Sequence, residues 1–557
     1  MPRQPNCSHR RLGQRFLIAR IPLQLLLLLA LPAAAHAQDC TFTTNNGTIT
    51  IIGYTGPGGD VAIPTAITGM PVATIGESAF HSCTNLIGVT IPSSVTDIKD
   101  YAFHSCTALS DLNLPQSVTN VGEAAFFLCT SLTNLVIPTG VNSIGACAFA
   151  QCSSLISVAI PSSVSSFGYG AFYGCTSLIA ITANTNNAFY SSIDGVLFNK
   201  DRTTLVEWPE GKSQTYSIPN GVTTTGDSAF YCCKSLTNVS IPNTVTNIAH
   251  FAFSSCSRLL SITIPSGVTT IGIAAFNYCS SLKSVAIPAS VTEIGLAAFS
   301  GCSQLNAINV EASNAFYSDM GGILFDKLHT GLIQYPAAKL GDYVIPFGVT
   351  SLGGAAFEGC SGLTSVSIPN GVTLIPNGAF SGCTSLASVS LPAGVTSIGG
   401  YAFFYCLTLT NVVIPSSVSY LADAAFAGCF SLSSACFRGN APSIWGYVFD
   451  GDNSATVYYL PGTTGWGSMF GDRPTALWML PTPLILNSGS GFGVHTNGFG
   501  FIISWATNIP VVVEACTSLA NPIWSPVGTN TLIDGWSYFN DPDWVNYHAR
   551  FYRLHSP

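Results

Sequence analysis

The stretch "IPSGVTTIGIAAFNYCSSLKSVA" at residues 264–286 is followed directly by "IPASVTEIGLAAFSGCSQLNAIN", which restates it almost position by position. Aligned on "AF", the repeat places Phe80, Phe103, Phe126, Phe149 and Phe172 at a constant spacing of 23. A jump of 58 leads to Phe230, Phe253, Phe276 and Phe299, and a second jump of 58 to Phe357, Phe380, Phe403 and Phe426. Thirteen units in blocks of five, four and four constrain the fold more than any other feature. A unit this short cannot bury its own apolar row, whereas stacked copies bury a continuous one.

The consensus reads A-F-x-x-C-x-x-L-x-x-V-x-I-P-x-x-V-T-x-I-G. Around 282–288, Leu282, Val285 and Ile287 follow the strand pattern of a leucine-rich repeat, with Ala286 facing out between its apolar neighbours. Pro288 lacks an N–H and ends the strand. Val291 and Ile294 supply a second inward row, and Phe299 fills the coil interior. Lys99, Ala249, Pro376 and Ala422 replace Gly295 in other units, so that bend does not require a left-handed backbone. The expected architecture is a mainly β solenoid with one parallel strand per coil. Roughly fifteen coils at about 4.8 Å each give a length on the order of 70 Å.

The pattern over about 76–436 resembles the BspA-like leucine-rich repeat family of bacterial surface and secreted proteins. The resemblance implies a role in protein binding and adhesion at the bacterial cell surface or outside the cell. It implies no catalytic residues.

The N-terminus reads as a secretory signal. Arg3, Arg10, Arg11, Arg15 and Arg20 precede the apolar "LQLLLLLALP" at 23–32, and "AHA" at 35–37 offers a cleavage site. The remaining boundaries are expected at 38–75 for an N-terminal cap and 76–436 for the solenoid. A C-terminal cap follows at 437–480, then a Gly- and Ser-rich linker at 481–500 and a small β domain at 501–557. After residue 40 no apolar run is long enough to span a bilayer as a helix. Removing residues 1–37 takes five of 18 basic residues and none of 26 acidic ones, leaving 13 − 26 = −13. Such a charge disfavours nucleic acid as a partner.

The two jumps hold a second repeat. "NAFYSSIDGVLFNKDRTTLVEWP" (187–209) matches "NAFYSDMGGILFDKLHTGLIQYP" (314–336). Each predicts a β-hairpin interruption, at about 183–220 and about 310–347. Lys200, Asp201 and Arg202 at the first tip read as a solvated turn.

Thirteen of the nineteen cysteines share one repeat position, from Cys83 to Cys429. Stacking places them in an inward column, where they are expected as buried free thiols. The off-ladder Cys40, Cys147, Cys232, Cys436 and Cys516 are better placed for a bridge. No protease, hydrolase or phosphate-loop motif occurs, so a non-enzymatic protein without cofactor is expected. His81 and His104 follow "AF" in adjacent units but lack a third ligand, and read as exposed loop histidines rather than a metal pair. Asp450 and Asp452 read as a polar turn.

The outward strand positions carry small residues, whereas binding energy concentrates in aromatic and Arg anchors. The two positions after "AF" hold Phe127, Tyr173, Tyr231, Tyr278, Phe404 and Tyr405. These six are the candidate ligand-binding residues: an aromatic ridge along one edge, cut into blocks by the hairpins. The expected partner is a protein or another cell-surface macromolecule. Two alternatives stand beside it: a self-associating structural protein of the cell exterior, and a glycan binder using Trp505, Trp524, Trp536 and Trp544 of the C-terminal domain.

Overall fold

The computed structural model describes residues 33–34, 39–480, 482–487, 491–505 and 510–555. The segment read as a secretory signal, residues 1–37, falls, but for the backbone of 33–34, outside the described residues. The chain forms an almost all-β solenoid of about 18 turns at a spacing of about 23 residues, with no α-helix among the described residues.

The coil that starts at Phe276 shows how the repeat builds this shape. Leu282, Val285, Ile287 and Val291 are buried, while Ser284 and Ala286 face solvent. The strand Ser284–Ile287 pairs in parallel with Ala307–Val310 of the next coil, so Ala286 lies beside Asn309. A second strand, Glu293–Ile294, pairs in parallel with Thr270–Ile271 of the coil before. Each coil thus gives one strand to each of two parallel rows. The single row expected from the sequence is incomplete, because the Val-Thr-x-Ile segment after proline is itself extended. A threonine column supports it: the hydroxyls of Thr269 and Thr292 donate to the carbonyls of Thr246 and Thr269 at 3.1 and 3.3 Å.

The ladder phenylalanines stack through the interior. Phe276 lies between Phe253 and Phe299, with ring centroids 5.3 and 5.5 Å away and planes within 1° of parallel. The column extends past both ends of the visible repeat: Tyr54 stacks on Phe80 at 5.0 Å, and Phe449 on Phe426 at 5.7 Å.

The cysteine column has a hydrogen-bonding role. Cys279 Sγ lies 3.1 Å from the Phe253 carbonyl oxygen of the preceding coil, and that oxygen also accepts from the Cys256 N–H. Cysteine suits the slot because it is a small hydrophobe with one weak donor. Every described cysteine is a free thiol, including Cys40, Cys147, Cys232, Cys436 and Cys516, so no bridge joins the off-ladder cysteines. Burial pushes the Cys129 thiol up to about 12 and Cys147 to about 11, which withholds the reactive thiolate. We expect iodoacetamide at pH 8 to label few described cysteines in the native protein and the half-buried Cys83 first, since a hydrogen bond from Cys106 lowers its pKa whereas burial raises those of Cys147, Cys232 and Cys436. Unfolding without reductant should then open the rest of the column to the reagent. Ladder positions that stay unlabelled until reductant is added would reveal bridges.

The jumps of 58 conceal an extra coil. The Trp208 N–H donates to the Ala229 carbonyl, and the Tyr335 N–H to that of Ala356, as the ladder phenylalanines of the regular coils do, Phe230 to Ala252 and Phe357 to Ala379 among them. Trp208 and Tyr335 therefore occupy phenylalanine slots, 22 residues before Phe230 and Phe357. The coil before each is enlarged by three antiparallel strands rather than a two-stranded hairpin: Tyr190–Ile193, Val196–Asn199 and Thr204–Glu207, and their counterparts Tyr317–Met320, Ile323–Asp326 and Gly331–Gln334. The middle strand is a wedge between two cores. Leu197 packs into the first block, while Val196 and Phe198 on the other face pack into the second. Leu324 and its neighbours Ile323 and Phe325 divide likewise between the second and third blocks. Lys200 is not simply solvated: its Nζ donates to the carbonyls of Asn187 (2.5 Å) and Thr185 (3.2 Å).

The described residues of 481–500, expected as a linker, contribute strands to the C-terminal β unit. Leu484–Leu486 and Gly493–His495 pair with Gly498–Ser504, which pairs in turn with Trp536–Asp541. A second antiparallel sheet joins Pro510–Cys516, Ser525–Thr531 and Phe551–His555. Phe501, Ile503, Val511, Val513, Leu532 and Phe539 form the core of this small β unit.

Candidate interaction edge

Every ladder phenylalanine is flanked by two residues in the left-handed region, two positions before and two after it. Around Phe276 these are Ala274 (φ 52°) and Tyr278 (φ 56°). The chain between them makes a tight turn, and the turns of successive coils stack into one edge. The six candidate side chains, each one or two positions after a phenylalanine, are half-buried or exposed there.

The edge passes both interruptions without a break. The hairpins and the Trp208 and Tyr335 coils keep clear of it. Gly170 lies against Ser228, and the rings of Tyr173 and Tyr231 meet at 4.9 Å across the first interruption. Across the second, the Gly301 N–H donates to the Glu358 carbonyl, and the Tyr278 hydroxyl to Glu358 Oε1 at 2.8 Å. The expectation that the hairpins cut the ridge is therefore corrected, because the added chain leaves the solenoid on the side of the short strands.

The six candidate residues lie on this edge in two stations. The first is an unbroken run of rings. His81 stacks on His104 (4.8 Å), His104 on Phe127 (4.8 Å), Phe127 meets Tyr173 edge-on (6.0 Å), and Tyr173 meets Tyr231. The two histidines are thus stacked rings, and among the described residues no group of three or more His, Cys, Asp or Glu is placed to hold a metal ion. Phe127, Tyr173 and Tyr231 are half-buried by one another. Burial pushes the Tyr231 phenol up to about 12.

The second station is a groove of about 800 Å³ that begins at Tyr278 and Glu358 and runs to Gly451. Tyr401, Phe404, Tyr405, Phe430 and Tyr447 line it. The Phe404 ring meets Tyr405 edge-on at 4.3 Å and Tyr401 at 5.3 Å. Glycine in the following coil makes room for the tyrosines. A Cβ on Gly301 would fall 2.6 Å from the Tyr278 ring, and one on Gly428 3.4 Å from the Tyr405 ring. Asp423 Oδ1 accepts from the Tyr447 N–H at 2.9 Å. Burial raises the Glu358 carboxyl above its ordinary range, against the opposing hydrogen bond from Tyr278. Sequence reasoning missed Tyr401, Phe430 and Tyr447, which lie outside the two positions following phenylalanine.

The opposite, strand face matches its sequence reading: Thr90, Val136, Ala159, Thr263, Ala286 and Ser390 are exposed and mostly small. The C-terminal tryptophans form no platform. Among the described residues no two of the four rings touch, and Arg553 covers Trp524 at 4.6 Å. The turn after Phe449 also departs from expectation. Asp452 is not a surface residue but takes the slot of a ladder cysteine, fully buried, and burial pushes its carboxyl up to about 7.

A parallel solenoid of L-x-x-V-x-I strands, one such strand to each coil of 23, defines a leucine-rich repeat protein. The chain belongs to the family of the BspA type leucine rich repeat region, whose six-copy model matches residues 67–199, 210–320 and 335–461. The breaks in the match fall within the enlarged coils. Among solved structures, a leucine rich cell surface protein from Faecalibacterium prausnitzii is 24% identical, with 77% of this chain and 95% of that one covered and a TM-score of 0.39. A leucine-rich repeat protein from Eubacterium ventriosum is 26% identical (69% and 91% covered, TM-score 0.38). One from Bacteroides ovatus is 25% identical (75% and 93% covered, TM-score 0.35). No curated protein matches the sequence.

Proposed function

We propose that this is a non-enzymatic bacterial protein of the cell surface or exterior that binds a protein partner through the aromatic edge of its solenoid. The single observation that carries the reading is the gathering of the aromatic side chains on one edge, continuous past both interruptions. Aromatic rings supply large contact area at small entropic cost. Family membership and the signal-like N-terminus support a location outside the cell. Among the described residues no helix is long and apolar enough to cross a membrane.

The test replaces Tyr231 and Tyr278 with serine. Serine already stands in the same rows one coil away, at Ser254 and Ser255, so the turn tolerates it. Full-length protein would be measured by biolayer interferometry against a panel of immobilised extracellular-matrix and cell-surface proteins. For any protein bound by the parent, the double variant should lose at least tenfold in affinity, about 1.4 kcal/mol, with unchanged thermal unfolding. Undiminished binding would overturn the assignment. Binding to oligosaccharides instead, abolished by Trp524→Ser, would transfer the function to the C-terminal unit.

A further inference from the structure

The groove at the second station has a chemistry that the edge as a whole does not. Its walls are aromatic, and the charged groups that line it are all carboxylates: Glu358, Asp423 and Asp450. Glu358 and Asp423 lie within a stretch, residues 340–437, that contains no Lys, Arg or His. Asp423 is held in place by the Tyr447 N–H and by the Tyr401 hydroxyl at 3.5 Å, so carboxylate and ring are positioned together. A cation that enters such a groove meets ring faces, which attract it through their quadrupoles, and anionic oxygens beside them.

We infer that the groove between Tyr278 and Gly451 binds an extended protein segment carrying lysine or arginine. The inference rests on the reading of the edge as a protein-binding surface and adds the charge of the partner. Uncharged sugars stack on aromatic faces without requiring uniform negative charge at the walls. A basic segment uses both features, and its repeating side chains match a groove that crosses successive coils.

The probe is a fluorescein-labelled twelve-residue peptide of alternating Lys and Gly, titrated with the full chain and followed by anisotropy. A Glu–Gly peptide of the same length and a neutral hexasaccharide serve as the competing ligands. The Lys–Gly peptide should bind saturably and the other two should not. The double variant Asp423→Asn/Glu358→Gln keeps side-chain shape and rings and should weaken the peptide at least tenfold. Asparagine is compatible with the fold at this row, since Asn377 Oδ1 accepts the Gly400 N–H there at 2.8 Å. Asp342→Asn/Asp111→Asn removes the same two charges from the strand face, where Asp342 accepts from Thr364 and Ser365 and Asp111 is exposed, and should change affinity less than twofold. Equal losses in both variants would reduce the effect to net charge and overturn the inference. No peptide binding, or binding of the hexasaccharide in its place, would also overturn it. If Tyr231→Ser/Tyr278→Ser still abolishes protein capture in that event, the edge reading stands and only the basic character of the partner falls.

Discussion

Phe276→Ala is expected to destabilise the solenoid by about 3–5 kcal/mol, the usual cost of emptying a buried ring from a core. Phe276 is fully buried and lies in face-to-face contact with a ring above and a ring below. Its loss therefore removes two stacking contacts as well as apolar burial. Each coil touches only its neighbours, so the damage should stay local. Hydrogen exchange should show lost protection in the coils of Phe253, Phe276 and Phe299, while those of Phe103 and Phe403 keep theirs. Exchange is the better readout because long repeat arrays need not unfold in one step. A variant that melts and exchanges like the parent would show that Phe276 is not part of the interior column.

The interior was legible in the sequence because each of its positions has one job and repeats. Phe at the turn, Cys three residues later and V-x-I before proline can be aligned by eye. Slots filled by a chemical substitute were not legible. Trp208 and Tyr335 act as ladder phenylalanines, but they lack the alanine before and the cysteine after, and they sit one residue out of phase. Phe449 was hidden by Asp452 in the place of cysteine, and Tyr54 by its spacing of 26. The candidate edge was half visible. Its residues share two rows of the repeat, but sequence spacing placed Tyr173 and Tyr231 58 residues apart. Their contact depends on the hairpin leaving by another side, which only the folded path reveals. The groove was not legible because Tyr401 and Tyr447 stand two residues before a ring of the column and Phe430 four after one, outside the two rows that follow phenylalanine. The same holds for buried charge: nothing local distinguishes Glu207 from a surface glutamate.

Glu207→Gln is expected to stabilise the protein, and increasingly so as pH rises. Glu207 closes the junction between the first and second blocks, where the regular ladder is interrupted. It is buried to 2% exposure, and its carboxyl accepts from the Phe172 backbone N–H. Its second oxygen, Oε2, has no hydrogen-bond partner. Burial raises its pKa well above the ordinary glutamate value, so the folded state holds the neutral acid. The raised folded pKa sets the sign. Below the unfolded value near pH ~4.3, both states are protonated and nothing is lost. Above it the unfolded chain ionises while the folded chain does not, so folding weakens by about 1.4 kcal/mol per pH unit until the folded carboxyl itself titrates. The second junction shows the neutral solution. Gln334 occupies the same register 127 residues later, donates to the Ala356 carbonyl at 2.9 Å and accepts from Ser300 at 3.2 Å. Glu207→Gln should therefore melt close to the parent at pH 5 and clearly above it at pH 8, measured by thermal unfolding at matched ionic strength. Asp452 and Glu210 are also buried acids with raised pKa values, but they are common to both proteins and cancel in the difference. A constant offset between the two melting curves across that range would show that Glu207 is charged in the folded state, or that it titrates there as it does in the unfolded chain.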